Sequence, residues 1–351
     1  MAFRKWFLKF LGLSNKDVNP ASPTLTYDGH VITPEPNETV LEALLRNGYA
    51  IPNSCRAGAC QSCMMVADSS TRANLPEASQ APLTAAEKQQ GLFLACSARL
   101  QSPLVASMPQ AQLHPETEAK IVNIDYVNDR VVRLQLSADF SYHAGQFVNL
   151  VFPSASNTSE RRSYSLASVP GIDTHCELHV KLLNGGECSD WLQNRAEVGQ
   201  AITLEGPHGH CYYTDDCEKF PHLVLAGIGT GLAPLWGIVR DALKHKYAGS
   251  IDLLIAARHV KDLYLVDELT NLAEQTPELR LRILVQEQAI EKHPKVEQAD
   301  IYQQAQSLDI DYSRAAVFLC GAESFVQKMK KTLFVKGTPM RAIVADAFVK
   351  S

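Results

Sequence analysis

The stretch Cys55-Arg56-Ala57-Gly58-Ala59-Cys60-Gln61-Ser62-Cys63 contains three cysteines in a C-x4-C-x2-C run, and 32 residues separate Cys63 from a fourth cysteine, Cys96. This spacing is typical of a [2Fe–2S] site, in which one loop presents three thiolates and a distant segment supplies the fourth. Small residues between the cysteines let backbone N–H groups approach the bridging sulfides. The sequence therefore predicts a [2Fe–2S] cluster held by Cys55, Cys60, Cys63 and Cys96.

Zinc binding and a purely structural role are the alternatives for these cysteines. Zinc takes the same residue type, but zinc sites usually show paired C-x2-C hooks, and this loop contains one, Cys60-x-x-Cys63. Four buried structural thiols would need no particular spacing. The spacing favours the iron–sulfur cluster over both.

Length, charge and cysteine use bound the class of protein. The 351 residues suffice for two or three domains, and 33 Lys and Arg against 38 Asp and Glu leave a formal net charge of −5. Because an acidic chain has no general attraction for nucleic acid, no nucleic acid partner is expected. The nine cysteines lack the pairing of a disulfide framework, which favours a cytoplasmic location.

Pro234 and several glycines break the longest uncharged stretch, so no membrane span is expected. Lys9 interrupts the apolar N-terminal run, so no signal peptide is expected.

The segment around the cysteine loop has the signals of a small sheet with a capped helix. Asp28-Gly29 is a two-residue hairpin turn between strand-forming runs. Thr39-x-x-Glu42 is a capping box that opens a helix, and Gly48 suits its C-terminal end. A second box, Thr84-x-x-Glu87, precedes the segment with the fourth cysteine. Residues 24–107 are therefore predicted to form a β-grasp [2Fe–2S] ferredoxin domain.

Two more domains are predicted beyond this one. Residues 108–117 contain prolines without periodicity, as a linker does. Runs of β-forming residues within 118–214 indicate an antiparallel β-barrel. From 220 to 351 apolar strands alternate with helical stretches, which favours an α/β fold with a parallel sheet. The expected protein is thus multidomain.

The run Arg162-Ser163-Tyr164-Ser165 ends a predicted barrel strand. An arginine can bind a flavin phosphate bidentately, an aromatic ring can stack on the isoalloxazine, and a hydroxyl can bond near its reactive nitrogen. The run resembles the Arg-x-Tyr-Ser signature of the ferredoxin–NADP reductase superfamily. Taken alone, it also fits exposed polar strand residues.

The stretch Gly185-Gly186-Glu187-Cys188-Ser189 leads into a helix, with Ser189 expected as its N-cap. A helix N-terminus with free N–H groups is a natural phosphate site. The superfamily resemblance implies that Gly185, Gly186 and Ser189 hold the flavin phosphates. It also places His179 and Lys181, on the preceding strand, in the flavin site. An ordinary capped helix after a turn is the alternative.

The turn Gly227-Ile228-Gly229-Thr230-Gly231-Leu232-Ala233-Pro234 follows a predicted strand and opens a helix, the context that a nucleotide-phosphate turn requires. It resembles the superfamily's Gly-Thr-Gly-x-Ala-Pro form. The resemblance implies that Gly229, Thr230, Gly231 and Pro234 bind the nicotinamide nucleotide.

The last motifs are Cys320-Gly321, after another strand, and the terminal Asp346-Ala347-Phe348-Val349. Both are similar to superfamily elements beside the nicotinamide and the flavin, although Ala322-Glu323 replaces the prolines usual after the Cys-Gly pair. The resemblance implies that Ser165, Cys320 and Phe348 are catalytic and that Cys320, Gly321 and Phe348 contact cofactor. A buried core side chain is the alternative for Phe348.

In this order the motifs resemble the reductase components of bacterial oxygenases, such as those that serve benzoate dioxygenase and xylene monooxygenase. The resemblance implies FAD and NADH as cofactors and a path from NAD(P)H through flavin and cluster to an external acceptor. The expected acceptor is a terminal oxygenase, foremost a membrane di-iron hydroxylase or fatty-acid desaturase. A soluble Rieske dioxygenase or radical sugar deoxygenase is the alternative, and a non-catalytic redox sensor or zinc-bearing interaction module is the alternative of another class.

The choice of nucleotide depends on charge at a strand end. The predicted strand Leu281–Val285 is followed by Gln286-Glu287, where a 2′-phosphate would call for basic side chains. NADH is therefore predicted over NADPH, although Arg258 follows another strand end.

The N-terminal segment, residues 1–18, is basic in an otherwise acidic chain. Residues 1–13 place apolar and basic side chains on opposite sides of a helical wheel: Phe3, Trp6, Phe7, Phe10, Leu11 and Leu13 against Arg4, Lys5 and Lys9. This pattern predicts a peripheral contact with the inner face of the cytoplasmic membrane. A helix docked on the protein itself or on a partner is the alternative.

Overall fold

The computed structural model describes residues 23–49, 51, 53, 56, 58, 63–83, 85–109, 116–155, 159–287 and 294–348. The predicted N-terminal helix and the ligands Cys55 and Cys60 lie outside these residues. The chain divides into two compact units. Among the described residues, no helix has the length and apolar character needed to cross a bilayer.

The first unit contains a five-stranded sheet in the order β2-β1-β5-β3-β4. β1 and β5 run parallel and the other neighbours antiparallel, as in a β-grasp fold. The strands are β1 Leu25–Tyr27, β2 His30–Ile32, β3 Met64–Ala67, β4 Leu92–Leu94 and β5 Leu104–Ser107, with helices α1 Val40–Arg46, α2 Glu77–Gln80 and α3 Ala85–Gln89.

The local signals of this unit are confirmed. Asp28 and Gly29 have φ of 50° and 74°, the left-handed pair that a tight hairpin needs. The Thr39 hydroxyl accepts the Glu42 N–H at 3.2 Å, and the Glu42 carboxylate accepts the Thr39 N–H at 2.8 Å, which completes the capping box. Thr84 lies outside the described residues.

The second unit begins with an antiparallel sheet in the order β10-β7-β6-β11-β8-β9. An antiparallel bridge between Leu166 and Leu178 joins the end of β9 to β10 and closes the barrel. Its strands are β6 Glu116–Asn128, β7 Val131–Ala138, β8 Phe147–Pro153, β9 Ser159–Ser165, β10 Cys176–Lys181 and β11 Ala201–His208, and helix α4 is Glu187–Asn194. The α4 residue Trp191 stacks on Phe152 in the barrel core, with 5.3 Å between ring centroids.

The rest of the second unit is a fully parallel sheet in the order β15-β14-β13-β12-β16-β17. Its strands are β12 His222–Ile228, β13 Ser250–Ala257, β14 Leu279–Val285, β15 Val296–Gln298, β16 Ala315–Ala322 and β17 Ile343–Phe348. Its helices are α5 Leu232–Lys244, α6 Val266–Gln275, α7 Ile301–Gln306 and α8 Glu323–Val335. Because the connections leave β12 and β16 toward opposite edges, a crevice is expected at their carboxyl ends.

Candidate active site

A cavity of about 1080 Å³ lies in the second unit, with walls from both the barrel and the parallel sheet. Such a volume is at the upper end of the range for cofactor sites. Most of the predicted cofactor-binding residues line it: Arg162, Ser163, Tyr164, Ser165, His179, Lys181, Gly185, Gly186, Ser189, Gly229, Thr230 and Phe348. The fold thus places motifs from four distant parts of the chain around one space.

The other four predicted residues, Gly231, Pro234, Cys320 and Gly321, lie behind this lining. A Cβ on Gly231 would lie 2.1 Å from the Cys320 carbonyl oxygen, so only glycine lets the turn after β12 approach the end of β16. Gly321 has φ +138°, and a Cβ there would lie 2.8 Å from Cγ1 of Ile228. These glycines shape the crevice.

The thiol of Cys320 lies in the core. Its side chain is fully buried, with Sγ 3.7 Å from Sγ of Cys211. Burial raises the pKa of the Cys320 thiol well above its usual value, which keeps it neutral. Its predicted catalytic role stays a prediction, and its carbonyl is the part that meets the nucleotide turn.

The turn before α4 has the form of a phosphate cradle, but its cap differs from the prediction. The helix begins at Glu187 with Gly186 as N-cap, so the prediction of Ser189 as N-cap is wrong. Ser189 lies in the first helical turn, where its hydroxyl accepts the Leu183 N–H at 2.8 Å and holds the turn together. No side-chain cap occupies the N-terminus of α4 in the described part of the chain.

Gly185 completes this cradle. It has φ +70°, and no described heavy atom lies within 4 Å of the position that a Cβ would take. The residues of the turn and of the first helical turn line the cavity, so the positive end of the helix dipole lies at a space that suits an anion. This geometry fits a flavin phosphate.

The signature strand β9 has side-chain hydrogen bonds within itself and to the neighbouring strand β8. Arg162 Nη1 donates to Glu160 Oε2 at 3.1 Å and to the Arg161 carbonyl at 2.8 Å. Ser163 Oγ donates to Asn149 Oδ1 at 2.7 Å. The first two bonds orient the Arg162 side chain, and the third ties β8 to the strand that presents Tyr164 to the cavity. Burial raises the pKa of the Tyr164 hydroxyl well above its usual value.

Ser165 has a partner that the sequence analysis did not assign. Its Oγ donates to Asp346 Oδ2 at 2.9 Å across 181 residues of sequence. In the β16–β17 register Asp346 is opposite Cys320, and Phe348 is opposite Ala322. The terminal strand thus supplies both the carboxylate that orients the Ser165 hydroxyl and the aromatic ring at the cavity wall.

The far end of the cavity is lined by residues of the parallel sheet. Arg258 Nε and His259 Nδ1 lie 3.6 Å and 3.5 Å from the carboxylate oxygens of Glu287. Lys328 Nζ lies 3.8 Å from the centroid of the Tyr302 ring. The sequence analysis missed Tyr302, Lys328 and also Arg130, because they follow ordinary helix and hairpin signals and belong to no motif.

The two described cluster ligands have the features of an iron–sulfur site. Cys63 and Cys96 are 2% and 7% exposed, and the Cys96 N–H donates to Cys63 Sγ at 3.4 Å. An amide donated to a ligand sulfur is the contact that tunes a cluster's potential. The donor set fits a [2Fe–2S] cluster.

Three family models match the chain in sequence order. The 2Fe-2S iron-sulfur cluster binding domain matches residues 25–101, the oxidoreductase FAD-binding domain 119–213 and the oxidoreductase NAD-binding domain 224–331. Together they cover most of the first unit's sheet, the barrel and the parallel sheet, whereas β5 and β17 lie beyond the matched residues.

Relatives extend the likeness over most of the chain. The chain is 37% identical to the reductase subunit of an aromatic O-demethylase of Amycolatopsis sp., over 72% of this chain and 77% of that protein. It is 31% identical to the ferredoxin–NAD(P)+ reductase component of a naphthalene 1,2-dioxygenase system of Pseudomonas putida, over 88% and 93%. The crystal structure of an Amycolatopsis cytochrome P450 reductase superposes with a TM-score of 0.65 at 28% identity, covering 93% of this chain and 99% of that one.

Proposed function

Because this chain belongs to the family of oxygenase reductase components, which join a [2Fe–2S] domain to FAD-binding and NAD-binding domains, we propose that it carries electrons from NADH to a terminal oxygenase. It is an oxidoreductase of the ferredoxin–NAD(P)+ reductase type. The match to the [2Fe–2S] domain family argues against a zinc site at these cysteines. The matches to the FAD-binding and NAD-binding domains argue against a non-catalytic redox sensor.

The cavity that joins flavin and nucleotide residues is the observation that carries the proposal. Nicotinamides release two electrons as a hydride, [2Fe–2S] clusters accept one at a time, and a bound flavin converts between the two. Tyr164 and Phe348 provide aromatic surfaces for the flavin ring, and the cradle at Gly185 and Gly186 holds phosphate. Ser165, oriented by Asp346, supplies a hydroxyl at the cavity wall.

The two ends of the cavity receive different groups. Gly229 has φ +55° and faces open space, so the backbone of the nucleotide turn can approach a pyrophosphate. Arg258, His259, Tyr302 and Lys328 surround the end where the adenosine would lie. The nicotinamide is then directed toward the barrel, where the flavin-binding residues are.

For the acceptor we propose a membrane di-iron hydroxylase or fatty-acid desaturase. The support is the basic amphipathic pattern of residues 1–13, which would place the reductase and an embedded acceptor at one surface. A soluble Rieske dioxygenase is the second candidate, favoured by the relative that serves a naphthalene dioxygenase system.

Anaerobic reduction of the purified protein tests the electron path. Addition of excess NADH, which supplies more than the three electrons that flavin and cluster accept together, should bleach the flavin absorbance and produce the electron paramagnetic resonance signal of a reduced [2Fe–2S] cluster. A colourless protein, or a coloured one that NADH leaves unbleached, would contradict the path. The two acceptor classes are then compared by mixing the reductase with a membrane hydroxylase preparation or with a soluble dioxygenase preparation. The class that forms product when NADH is added is the acceptor class.

A further inference from the structure

A buried histidine links the barrel to the nucleotide-binding sheet beside the cavity. His179, on β10, lines the cavity, and its side chain has no exposed surface. Its Nε2 lies 2.9 Å from Glu177 Oε1, and its Nδ1 lies 3.1 Å from the hydroxyl of Tyr264. The two rings meet edge to face, with centroids 5.3 Å apart.

The carboxylate of Glu177 defines the direction of these hydrogen bonds. Burial alone would raise the pKa of Glu177, but hydrogen bonds from His179 and Gln135 and the charge of Arg133 outweigh it and lower the pKa. An ionised Glu177 can only accept, so His179 donates Nε2–H to it. With His179 neutral, its Nδ1 atom accepts the Tyr264 hydroxyl proton, and in either direction the 3.1 Å bond joins the two side chains. Burial raises the pKa of Tyr264 well above its usual value, which keeps that proton in place.

Tyr264 belongs to the other half of the unit. It follows β13 and precedes Leu265, the N-cap of α6, which has the left-handed φ of 54°. We call residues 260–265 the strap. Two more of its residues contact the barrel: Asn128 Nδ2 donates to the Leu263 carbonyl at 3.2 Å, and Arg130 Nη1 lies 3.4 Å from Asp262 Oδ1.

These contacts differ in strength. The Arg130 side chain is 55% exposed, and ion pairs of this kind contribute little. The bond between His179 and Tyr264 is fully buried, where low dielectric strengthens it and where loss of one partner leaves the other unsatisfied. The bond from Asn128 to the Leu263 carbonyl is only partly buried, so the strap is held on the barrel chiefly through Tyr264 and secondarily through Leu263.

We propose that Tyr264 is a positioning residue for hydride transfer. By binding His179 it sets the distance between the sheet that holds the nucleotide and the barrel that holds the flavin. The strap leads from Arg258 and His259, at the nucleotide end of the cavity, to His179 on the barrel side. Hydride transfer needs reacting atoms about 3–3.5 Å apart, and a displacement of about 1 Å can slow a reaction about a hundredfold.

The step itself balances without further reactants. NADH loses a hydride, with both electrons of its C–H bond, to oxidised flavin, one proton is taken up from water, and NAD+ remains. The inference rests on this transfer, which the proposed function requires, and is independent of the acceptor.

Tyr264→Phe in the holoprotein tests the inference, with Tyr312→Phe as the matched control. Tyr312 is also a buried tyrosine of the parallel-sheet half, and its hydroxyl donates to the Ala305 carbonyl at 2.7 Å. Anaerobic stopped-flow measurements at saturating NADH should show flavin reduction at least about tenfold slower in Tyr264→Phe. The long-wavelength charge-transfer absorbance between nicotinamide and flavin should weaken, while the NADH dissociation constant changes less than about twofold. Tyr312→Phe should match the wild type in all three.

A second variant covers the case in which Tyr264→Phe fails to fold. Asn128→Asp keeps the oxygen that accepts the Arg130 N–H at 2.8 Å but removes the amide donor to Leu263. It loosens the strap from the surface and should also slow flavin reduction. Wild-type rates and wild-type charge-transfer absorbance in the folded variants would overturn the inference. Failure of NADH to reduce the wild-type flavin would instead refute the proposed function.

Discussion

At the scale of single residues, the cluster depends on thiolates that a hydroxyl cannot replace, because serine does not ionise near neutral pH. Cys60→Ser should reduce cluster absorbance and slow NADH-dependent cytochrome c reduction more than about tenfold. Ferricyanide reduction, taken directly from the flavin, should stay within about twofold of wild type. Cys217→Ser, at a buried cysteine outside the cluster motif, is the control and should leave both activities intact. Full cytochrome c reduction by Cys60→Ser would remove Cys60 from the ligand set.

The preference for NADH over NADPH is also predicted to depend on a single side chain, that of Glu287. Glu287 follows β14 as expected, and its carboxylate lies beside Arg258 and His259, which would otherwise face a 2′-phosphate. NADH should have the higher kcat/KM in the wild type. Glu287→Gln should lower the NADH to NADPH ratio of kcat/KM about tenfold, since it removes a like charge and releases two basic groups. Asp267→Asn, in the first turn of α6, is the control. A wild type that prefers NADPH would show the nucleotide prediction to be wrong.

At the scale of elements, the crevice depends on how closely the turn after β12 approaches the end of β16. Gly231→Ala inserts a methyl group 2.1 Å from the Cys320 carbonyl oxygen, so the two segments must separate. We expect a loss of about 1–3 kcal/mol in unfolding free energy, from overpacking, and slower flavin reduction by NADH. Gly199→Ala is the comparison. Its φ of +89° makes an alanine there strained in its backbone, but the added Cβ would have no heavy atom within 4 Å. Calorimetry and stopped-flow measurements should show that only Gly231→Ala affects both stability and hydride transfer.

At the scale of the whole molecule, the preference for a membrane acceptor depends on whether the intact chain binds lipid. The intact chain should co-sediment with vesicles that contain anionic lipid, and a chain that starts at Asn19 should not, because it lacks Arg4, Lys5, Lys9 and Lys16. Neutral vesicles should bind the intact chain more weakly. Equal and negligible binding by both chains would remove the reason for preferring a membrane acceptor over a soluble dioxygenase.

Much of this architecture follows from local patterns. The hairpin at Asp28-Gly29, the capping box at Thr39 and the strand–turn–helix around Gly229 depend on residues only a few positions apart, so backbone geometry and short hydrogen bonds determine them. The cap of α4 shows where such reasoning fails. A serine suits an N-cap, yet the N-cap is Gly186, three residues earlier, and the Ser189 hydroxyl accepts the Leu183 N–H instead.

The sequence by itself determined the family, the order of its three cofactor-binding parts and the cysteines expected to hold the cluster, because motif spacing along the chain carries that information. Only the tertiary structure decided which side chains meet around the cavity. Ser165 reaches Asp346 across 181 residues, and His179 reaches Tyr264 across 85. No local pattern specifies such pairs, since they form only when the barrel packs against the parallel sheet and the strand order places the ends of distant strands side by side.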